Sequence, residues 1–252
     1  MNIAIITGVT SGLGYEFLKS VAACYPELDE IWAIARRKDK LVELSKQFDV
    51  KIRPVALDLS IVSSIDKIKE ILSEEKPNVK ILINNAGFGE LGNFYENDYN
   101  NQIKMINVNN GALTAMCTVC AEFMTEGSFI INVASIASFV PNPRMAVYCS
   151  TKAYVKSFTR CIREELKPRK INAFVVCPGP MSTEFLDVAG ISGGKSKTFE
   201  ILPYTKPEIV AINSVKLAAR GRGVYTPRLF FKFYRILSKL LPHSLLMKVS
   251  KT

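Results

Sequence analysis

Tyr148 and Lys152 are four residues apart in the segment YCSTK, a spacing that puts both side chains on one face of a helix. A phenol can transfer a proton near neutral pH if a nearby ammonium group lowers its pKa. Tyr15 and Lys19 have the same spacing near the N-terminus. Spacing alone therefore does not tell which pair performs chemistry, and the surrounding sequence must decide.

Histidine and cysteine usage argues against other kinds of catalytic centre. His243 is the only histidine and lies far in sequence from every motif described below, which argues against a Ser-His-Asp triad or a histidine-rich metal site. Cys117 and Cys120 form a C-x-x-C motif, which we interpret as two neighbours on a helix. The other cysteines also fall in predicted helices and strands, so we expect mostly buried, reduced thiols and no metal site.

The elements that must position these residues alternate along the chain. Apolar runs predict strands at 3–7, 31–35, 51–57, 79–84, 128–134 and 171–176, with a short seventh strand in GVYT. Amphipathic stretches predict helices ending near residue 24 and spanning 38–48, 61–74, 97–125, 146–167 and 207–220. This alternation predicts an α/β fold, a doubly wound and mostly parallel Rossmann-type sheet with helices on both faces. Without a linker, residues 1–226 form one domain.

Composition and charge fit a folded protein of ordinary make-up. The 252 residues are 48% hydrophobic and 22% charged. The N-terminus lacks the pattern of a signal peptide, and no apolar run reaches the roughly 18 residues of a membrane span. We therefore predict a cytoplasmic protein. The net charge is +10, but no groove-reading motif accompanies it, so we expect no nucleic-acid partner.

A glycine-rich turn, TGVTSGLG, follows the first strand at residues 7–14. Gly8, Gly12 and Gly14 would let the backbone turn tightly and approach a pyrophosphate, and the next helix would present its N-terminus to that anion. A purely structural turn is the alternative. The position between a strand and a helix favours a dinucleotide site.

The end of the second strand selects the kind of dinucleotide. A carboxylate there would bind the 2′-hydroxyl of an adenosine ribose, but the chain has Ala35, Arg36 and Arg37. Two cations favour a 2′-phosphate, hence NADP(H), with NAD(H) as the alternative. A pair of solvated arginines without a ligand is the other interpretation. Asp58 follows the third strand, where it can contact the adenine.

Together these residues resemble the short-chain dehydrogenase/reductase family over about residues 1–226. The resemblance lies in T-G-x-x-x-G-x-G at 7–14, N-N-A-G at 84–87, a serine thirteen residues before the tyrosine, Y-x-x-x-K, and PGPMST after the sixth strand. It implies four catalytic residues: Ser135, Tyr148, Lys152 and Asn109, the last chosen by spacing over Asn107 and Asn110. It implies cofactor contacts at Gly8, Thr10, Ser11, Gly12, Leu13, Gly14, Arg36, Arg37, Asp58, Leu59, Asn85, Ala86, Gly87, Tyr148, Lys152, Pro178, Gly179 and Thr183.

The implied reaction moves a hydride between a nicotinamide and a carbonyl or alcohol carbon. Tyr148 would move the proton, and Lys152 would stabilise its phenolate and hold the ribose hydroxyls. Ser135 would polarise the substrate oxygen, and Asn109 would hold a water that links Lys152 to solvent. Tyr15 has no serine at the matching position, so we interpret it as a packing residue.

Substrate choice is expected to reside in a long loop at 184–207, which in this family closes over the substrate. Its glycines, Gly190, Gly193 and Gly194, predict hinges. Its apolar residues and the segment 139–145 predict an apolar pocket: Phe185, Leu186, Val188, Ile191 and Phe199. A bulky, steroid-like ketone or secondary alcohol is the first expectation, a 3-oxoacyl thioester the second, and a small sugar or polyol the third. A non-catalytic NADP(H)-binding regulatory protein is the alternative from another class.

The tail, residues 227–252, is predicted to contain a basic amphipathic helix of about 13 residues that ends at Pro242. Leu229, Phe233, Ile236 and Leu240 share one side, and no acidic residue occurs from residue 209 onward. This stripe could pack on the enzyme body, where it would wall the substrate pocket or a subunit interface, or the helix could make weak peripheral contact with an anionic membrane. The helices at 97–125 and 146–167 carry apolar faces, and the family resemblance implies that they pair across a two-fold axis, so we expect a homodimer or homotetramer.

Overall fold

Seven parallel strands form a single sheet in the computed structural model, which describes residues 1–61, 63–191 and 201–249. The strands are β1 Asn2–Thr7, β2 Glu30–Ala35, β3 Ile52–Ala56, β4 Asn78–Asn84, β5 Phe129–Val133, β6 Asn172–Val176 and β7 Val224–Tyr225. Their order is β3-β2-β1-β4-β5-β6-β7, and every neighbouring pair is parallel. The order reverses between β1 and β4, which confirms the doubly wound α/β prediction and places a crevice at the carboxyl ends of these strands.

Helices cover both faces of the sheet. They are α1 Gly12–Cys24, α2 Lys38–Leu44, α3 Ser63–Glu75, α4 Tyr99–Ile106, α5 Leu113–Ala121, α6 Ala146–Leu166, α7 Glu184–Val188, α8 Pro207–Ala219, α9 Leu229–Leu240 and α10 His243–Val249. One hydrophobic core joins the sheet to α1, α2 and α8, and the other joins it to α3, α5 and α6. Successive residues of β1 point alternately into the two cores, which is why the strands read as continuous apolar runs.

The predicted long helix at 97–125 is divided into three parts. Asp98 caps α4 by accepting a hydrogen bond from the Asn100 amide at 3.1 Å, and a π-helical turn, Asn107–Ala112, separates α4 from α5. The turn has the sequence NVNNGA, whose asparagines and glycine are weak helix formers. A π-helical turn adds a residue to the helical repeat and often marks a functional site.

The tail helix α9 packs on the body through a different face from the predicted stripe. Phe231 is fully buried, and Tyr234, Leu237 and Leu241 pack against the core beneath the sheet. The predicted stripe from Leu229 to Leu240 instead faces solvent. Of the two alternatives for this stripe, the structure therefore does not show packing on the body, whereas it confirms the helix itself and its end before Pro242. The sequence pattern did not reveal α7 and α10.

Within the described ranges, no helix has the length and apolar character needed to cross a membrane. The same ranges contain no cluster of three or more potential metal ligands. All six cysteines have free thiols; four are buried, Cys24 is half-buried, and Cys161 is exposed.

Candidate active site

The glycine-rich turn is built so that only glycine fits at three positions. Gly8 and Gly12 have positive φ angles of 73° and 53°. Gly14 lies so close to the turn that an added Cβ would stand 2.0 Å from the Gly8 carbonyl oxygen. The sequence therefore holds the turn tightly against the first residues of α1, whose N-terminus borders the crevice.

Thr7, at the end of β1, ties this turn to the segment after β4. Its Oγ1 accepts hydrogen bonds from the Asn85 and Ala86 amides at 3.0 and 2.9 Å. In return, Asn85 Nδ2 donates to the Thr7 and Gly8 carbonyls at 3.1 and 3.2 Å. These bonds fix both strand ends relative to each other, so the two loops line one continuous wall.

A basic corner lies where the end of β2 meets the glycine turn. Arg37 donates to Thr10 Oγ1 at 3.1 Å and to the Thr10 carbonyl at 3.0 Å. It also pairs with Glu184 of α7 at 3.0 Å, and Lys40 approaches the same carboxylate at 3.7 Å. Burial alone would raise the pKa of Glu184, but hydrogen bonds from Ser11 and Arg37 and the charge of Lys40 hold it below its ordinary value. The basic side chains of this corner therefore already bind one carboxylate of the same chain, that of Glu184.

Arg36 lies beside this corner, exposed at the edge of the crevice. It faces Asp58, whose Oδ1 accepts hydrogen bonds from the Ser60 amide at 3.0 Å and the Ser60 hydroxyl at 2.8 Å. Burial alone would raise the pKa of Asp58, but these bonds and the charges of Lys104 and Arg36 lower it. Among the described residues, no hydrogen bond or salt bridge engages the Arg36 guanidinium, which leaves it available to a ligand.

Tyr148 and Lys152 lie one turn apart on α6 and face the carboxyl end of β5. Lys152 Nζ donates to the Val133 carbonyl at 2.9 Å and lies 5.8 Å from the centre of the Tyr148 ring. Ser135, just after β5, hydrogen-bonds the Tyr148 side chain. Ser135 Oγ also accepts from the Ala137 amide at 3.1 Å, so its own proton stays available to an oxygen in the crevice.

Burial is the largest cause of the pKa shifts of Tyr148 and Lys152. It raises the pKa of the Tyr148 phenol well above its ordinary value, and the hydrogen bond with Ser135 offsets only part of that rise. Burial lowers the pKa of the Lys152 ammonium from 10.5 to about 8. Tyr148 therefore keeps its proton at neutral pH, while Lys152 is still mostly charged at pH 7.

Asn109 lies on the π-helical turn. Its side chain is buried near Tyr148 and Lys152 and does not line the cavity. Its side chain forms two hydrogen bonds with the Phe88 backbone, at 3.1 and 2.9 Å, and a third with Thr151 Oγ1 at 3.0 Å. An added Cβ on Gly87 would stand 2.7 Å from Asn109 Oδ1 and 3.4 Å from Lys152 Nζ, so the two side chains flank that glycine. Of the competing asparagines, Asn107 is exposed, and Asn110 bonds the Thr151 carbonyl. Asn109 alone of the three bonds the segment that follows N-N-A-G.

Tyr15 and Lys19, the other pair with this spacing, lie on the outer surface. Tyr15 donates to Gln47 at 3.3 Å, and Lys19 pairs with Glu16 at 3.0 Å. Neither residue lines the crevice.

A cavity of about 580 Å³ joins the basic corner to Tyr148. The predicted site residues line it with two exceptions: Gly14 packs beneath the turn, and Asn109 lies behind the wall. In the predicted substrate region, Phe185, Leu186 and Val188 line the cavity, and so do Asn142 and Met145 from the segment 139–145. Ile191, Phe139 and Val140 were predicted to line the pocket, but they pack in hydrophobic cores instead. Gly193, Gly194 and Phe199 lie outside the described residues.

The tail contributes an aromatic wall to this cavity, which one of the alternatives for the tail helix predicted, but it does so through residues outside the predicted stripe. Phe230, Phe231 and Tyr234 line it together with Leu202. Phe231 packs so closely on the PGPMST loop that an added Cβ on Gly179 would stand 2.2 Å from its ring. The signal for these residues is the second apolar flank of α9, beside the predicted stripe.

The shape and donors of the crevice fit a dinucleotide with a 2′-phosphate. The cavity passes the glycine turn and the N-terminus of α1, and the first backbone amides of a helix are suited to bind an anion. At one end Arg36 is available to a phosphate, and Arg37 and Lys40 beside it already bind the carboxylate of Glu184. At the other end lie Tyr148, Ser135 and Lys152. Thr183 borders the glycine turn, since an added Cβ on Gly12 would stand 3.1 Å from the Thr183 Cβ.

Residues 2–190 match the family model described as short chain dehydrogenase. The NADP-dependent 3-hydroxy acid dehydrogenase of Schizosaccharomyces pombe is 32% identical over 241 residues, which cover 90% of this chain and 91% of that protein. The very-long-chain 3-oxoacyl-CoA reductase of Rattus norvegicus is 32% identical over 195 residues, covering 73% of this chain and 61% of that protein.

The mycobacterial relatives are much longer than this chain. The probable oxidoreductase EphD of Mycobacterium tuberculosis is 28% identical over 197 residues, and the match covers 75% of this chain but 32% of that protein. Among solved structures, a short-chain dehydrogenase from Sphingobium yanoikuyae in complex with NADPH superposes with a TM-score of 0.81. It is 24% identical and covers 98% of this chain and 96% of its own. That likeness supports the fold.

Proposed function

This chain belongs to the short-chain dehydrogenase family, and we propose that it is an NADP(H)-dependent oxidoreductase that interconverts a bulky apolar ketone and its secondary alcohol. One observation carries the proposal. A single cavity joins Arg36 and the adjoining basic corner to the Tyr148 phenol, and it continues past Phe185 to the aromatic wall of Phe230, Phe231 and Tyr234.

Tyr148 is the proton donor in the reducing direction. Its buried phenol keeps its proton at neutral pH, so it can donate to a carbonyl oxygen as negative charge develops there. Lys152, charged at pH 7, then stabilises the resulting phenolate from the same helix face. In the oxidising direction Tyr148 must first lose its proton, so alcohol oxidation requires higher pH than ketone reduction.

Ser135 holds the substrate oxygen. Its Oγ is oriented by the Ala137 amide, and its proton points to Tyr148 or to an oxygen placed beside it. When bound, NADP(H) supplies or accepts the hydride. Arg36 holds its 2′-phosphate, and the glycine turn with the α1 N-terminus holds its pyrophosphate. Lys152 has two further N–H donors for the ribose, since Val133 takes one. Asn109 fixes the Phe88 segment beside this lysine.

Glu184 competes with the cofactor phosphate for the basic corner. Its carboxylate occupies Arg37 and Lys40, both of which a 2′-phosphate would also attract. Removing this negative charge in Glu184→Gln is expected to tighten NADP(H) binding. The same change should affect NAD(H), which has no 2′-phosphate, much less.

Phe185 extends the aromatic lining from the tail's wall to Tyr148, and this lining supports a large apolar substrate. Phe185 lies 5.6 Å from Tyr148 between ring centres, so an apolar group beside the reacting carbonyl meets a ring surface at once. A 3-oxoacyl thioester is the second candidate. It is favoured by the relatives from Rattus norvegicus and Schizosaccharomyces pombe, whose names describe reactions on 3-oxoacyl and 3-hydroxy acid substrates.

The test is a panel assay with purified protein. Steroid ketones, smaller bulky ketones, 3-oxoacyl-CoA thioesters and small sugars are each supplied with NADPH or NADH, and oxidation is followed by absorbance of the reduced nicotinamide. Turnover highest with a bulky ketone and NADPH supports the proposal. A preference for the thioesters selects the second candidate. NADPH binding without turnover of any compound would instead indicate a non-catalytic regulatory protein.

We also infer a homodimer built on α4 and α6. Ile103 and Ile106 of α4 are exposed, and on α6 the exposed Tyr154 stacks on Phe158 at 5.6 Å. These apolar surfaces suit a two-fold interface. Light scattering should give twice the chain mass of 28.0 kDa, and Ile103→Asp should reduce it to that of a single chain. A single-chain mass for the unaltered protein would refute the inference.

A further inference from the structure

The outer side of α9 is an apolar surface that nothing in the described chain covers. The body-facing side is occupied by Phe231, Tyr234 and Ser238. On the opposite side the exposed fractions are 80% for Leu229, 65% for Phe233, 54% for Ile236 and 74% for Leu240. We call these four residues the outer stripe. At 100° per residue they fall within one narrow sector of the helix, so they form a continuous apolar ridge.

Positive charge borders this ridge. Lys232 and Lys239 lie along one flank of the outer stripe, and Lys248 follows in α10; all three are exposed. No acidic residue occurs from residue 209 onward, and among the described residues none of these lysines takes part in a salt bridge. A ridge that is both apolar and cationic matches a surface that offers hydrocarbon and negative charge together.

The ridge also adjoins the mouth of the cavity. Phe230, next to the outer stripe, is exposed and lines the cavity at the same time, and Val188 of α7 does likewise. Ile201, beside the cavity-lining Leu202, is also exposed. Exposed apolar residues therefore extend from the helix to the lining of the cavity.

We propose that α9 lies in the plane of an anionic membrane, with its outer stripe among the lipids and its lysines at the headgroups, so that the cavity mouth faces the lipid. The part that concerns delivery rests on the proposed function: the substrate is a ketone that partitions into the membrane and enters the cavity from it. A second copy of the chain is a poorer occupant, because two such faces would bring together like charges without a compensating acid.

Vesicle co-sedimentation of the full chain tests the docking. The probes are vesicles of phosphatidylcholine with about one-third phosphatidylserine and vesicles of phosphatidylcholine alone. The unaltered chain should sediment with the anionic vesicles and be released by high salt. Lys232→Gln with Lys239→Gln should weaken binding about 30-fold, since each basic residue at such a surface contributes roughly fivefold. Phe233→Ser with Ile236→Ser removes the apolar contact with the lipids and should abolish sedimentation.

Matched controls lie elsewhere on the surface. Ile61 has the same exposed fraction as Ile236, 54%, so Ile61→Ser removes an equal apolar group outside the ridge. Lys167→Gln removes an exposed lysine from the end of α6. Neither control should change vesicle binding. No sedimentation of the unaltered chain, or equal losses in the controls and the α9 variants, overturns the docking. So does a change of oligomeric mass in the α9 variants without vesicle binding, which would assign the ridge to a second copy.

Measurements of turnover distinguish membrane docking from the proposed oxidoreductase activity. The α9 variants should reduce a water-soluble ketone at the normal rate and a vesicle-embedded long-chain ketone more slowly. Equal rates on the embedded ketone would refute delivery from the membrane. Vesicle binding without turnover of any ketone would reject the proposed function and leave the docking supported.

Discussion

Replacing Lys152 with methionine should stabilise the ligand-free protein while destroying its activity. The buried Lys152 has its pKa lowered from 10.5 to about 8, so the folded state holds a charged group that the unfolded chain solvates better. At 1.36 kcal/mol per pKa unit, this shift corresponds to about 3 kcal/mol of destabilisation at pH 7. Methionine fills a similar volume without charge, but it leaves the Val133 carbonyl without the hydrogen bond now 2.9 Å long, which costs about 1 kcal/mol.

The pH dependence of the stability difference between the two proteins tests whether the buried charge of Lys152 causes it. Because the pKa is lowered on folding, the unfolded chain binds the extra proton between about pH 8 and 10.5, and wild-type stability rises with pH through that window. The methionine variant lacks this rise. The free energy of unfolding of the variant should therefore exceed that of wild type by about 2 kcal/mol at pH 7 and by close to zero at about pH 9.5. Both values include the cost of the lost hydrogen bond. Taking the difference between the two proteins at each pH cancels the titration of Tyr148.

Urea unfolding of both proteins without cofactor, from neutral pH to about pH 9.5, measures this difference. Lys19→Met is the matched control, because Lys19 has the same spacing from a tyrosine but lies on the surface beside Glu16. Its stability should change little. A Lys152→Met protein less stable than wild type at pH 7, or a difference independent of pH, would show that burial does not oppose this charge as reasoned here.

The other predictions concern catalysis, cofactor choice and the tail. Tyr148→Phe should keep NADP(H) affinity and lower turnover at least ~100-fold; Tyr15→Phe should leave both unchanged, and comparable turnover in the Tyr148 variant would contradict its role. Arg36→Leu should weaken NADP(H) far more than NAD(H) in fluorescence titrations, because a charge-assisted phosphate contact is lost; equal losses would argue against a 2′-phosphate there. Gly179→Ala, whose Cβ would stand 2.2 Å from the Phe231 ring, should destabilise by about 1–3 kcal/mol and expose the tail to proteolysis. Wild-type stability and protease resistance would show that the tail does not pack on this loop.

Several features of the site could be predicted from the sequence because each depends on local spacing. A tyrosine and a lysine four apart share a helix face wherever that helix lies, and a glycine turn between a strand and a helix points to a phosphate in any parallel sheet. The doubly wound parallel sheet follows from alternating elements and right-handed crossovers. These regularities were enough to bring Ser135, Tyr148 and the glycine turn to one crevice. Their catalytic roles remain predictions.

The tertiary structure decided what depends on contacts between distant parts of the chain. The salt bridge between Arg37 and Glu184 joins residues 147 positions apart, and neither position reveals it. The same holds for the tail. Apolar residues cover more than half the circumference of α9, so the pattern fits two packing faces, and only the fit of Phe231 over Gly179 selects one. That choice leaves the outer stripe in solvent. The sequence determined which residues could do chemistry, because spacing is local. The fold determined which of them are desolvated and which surfaces stay open, because burial depends on every element packed around them.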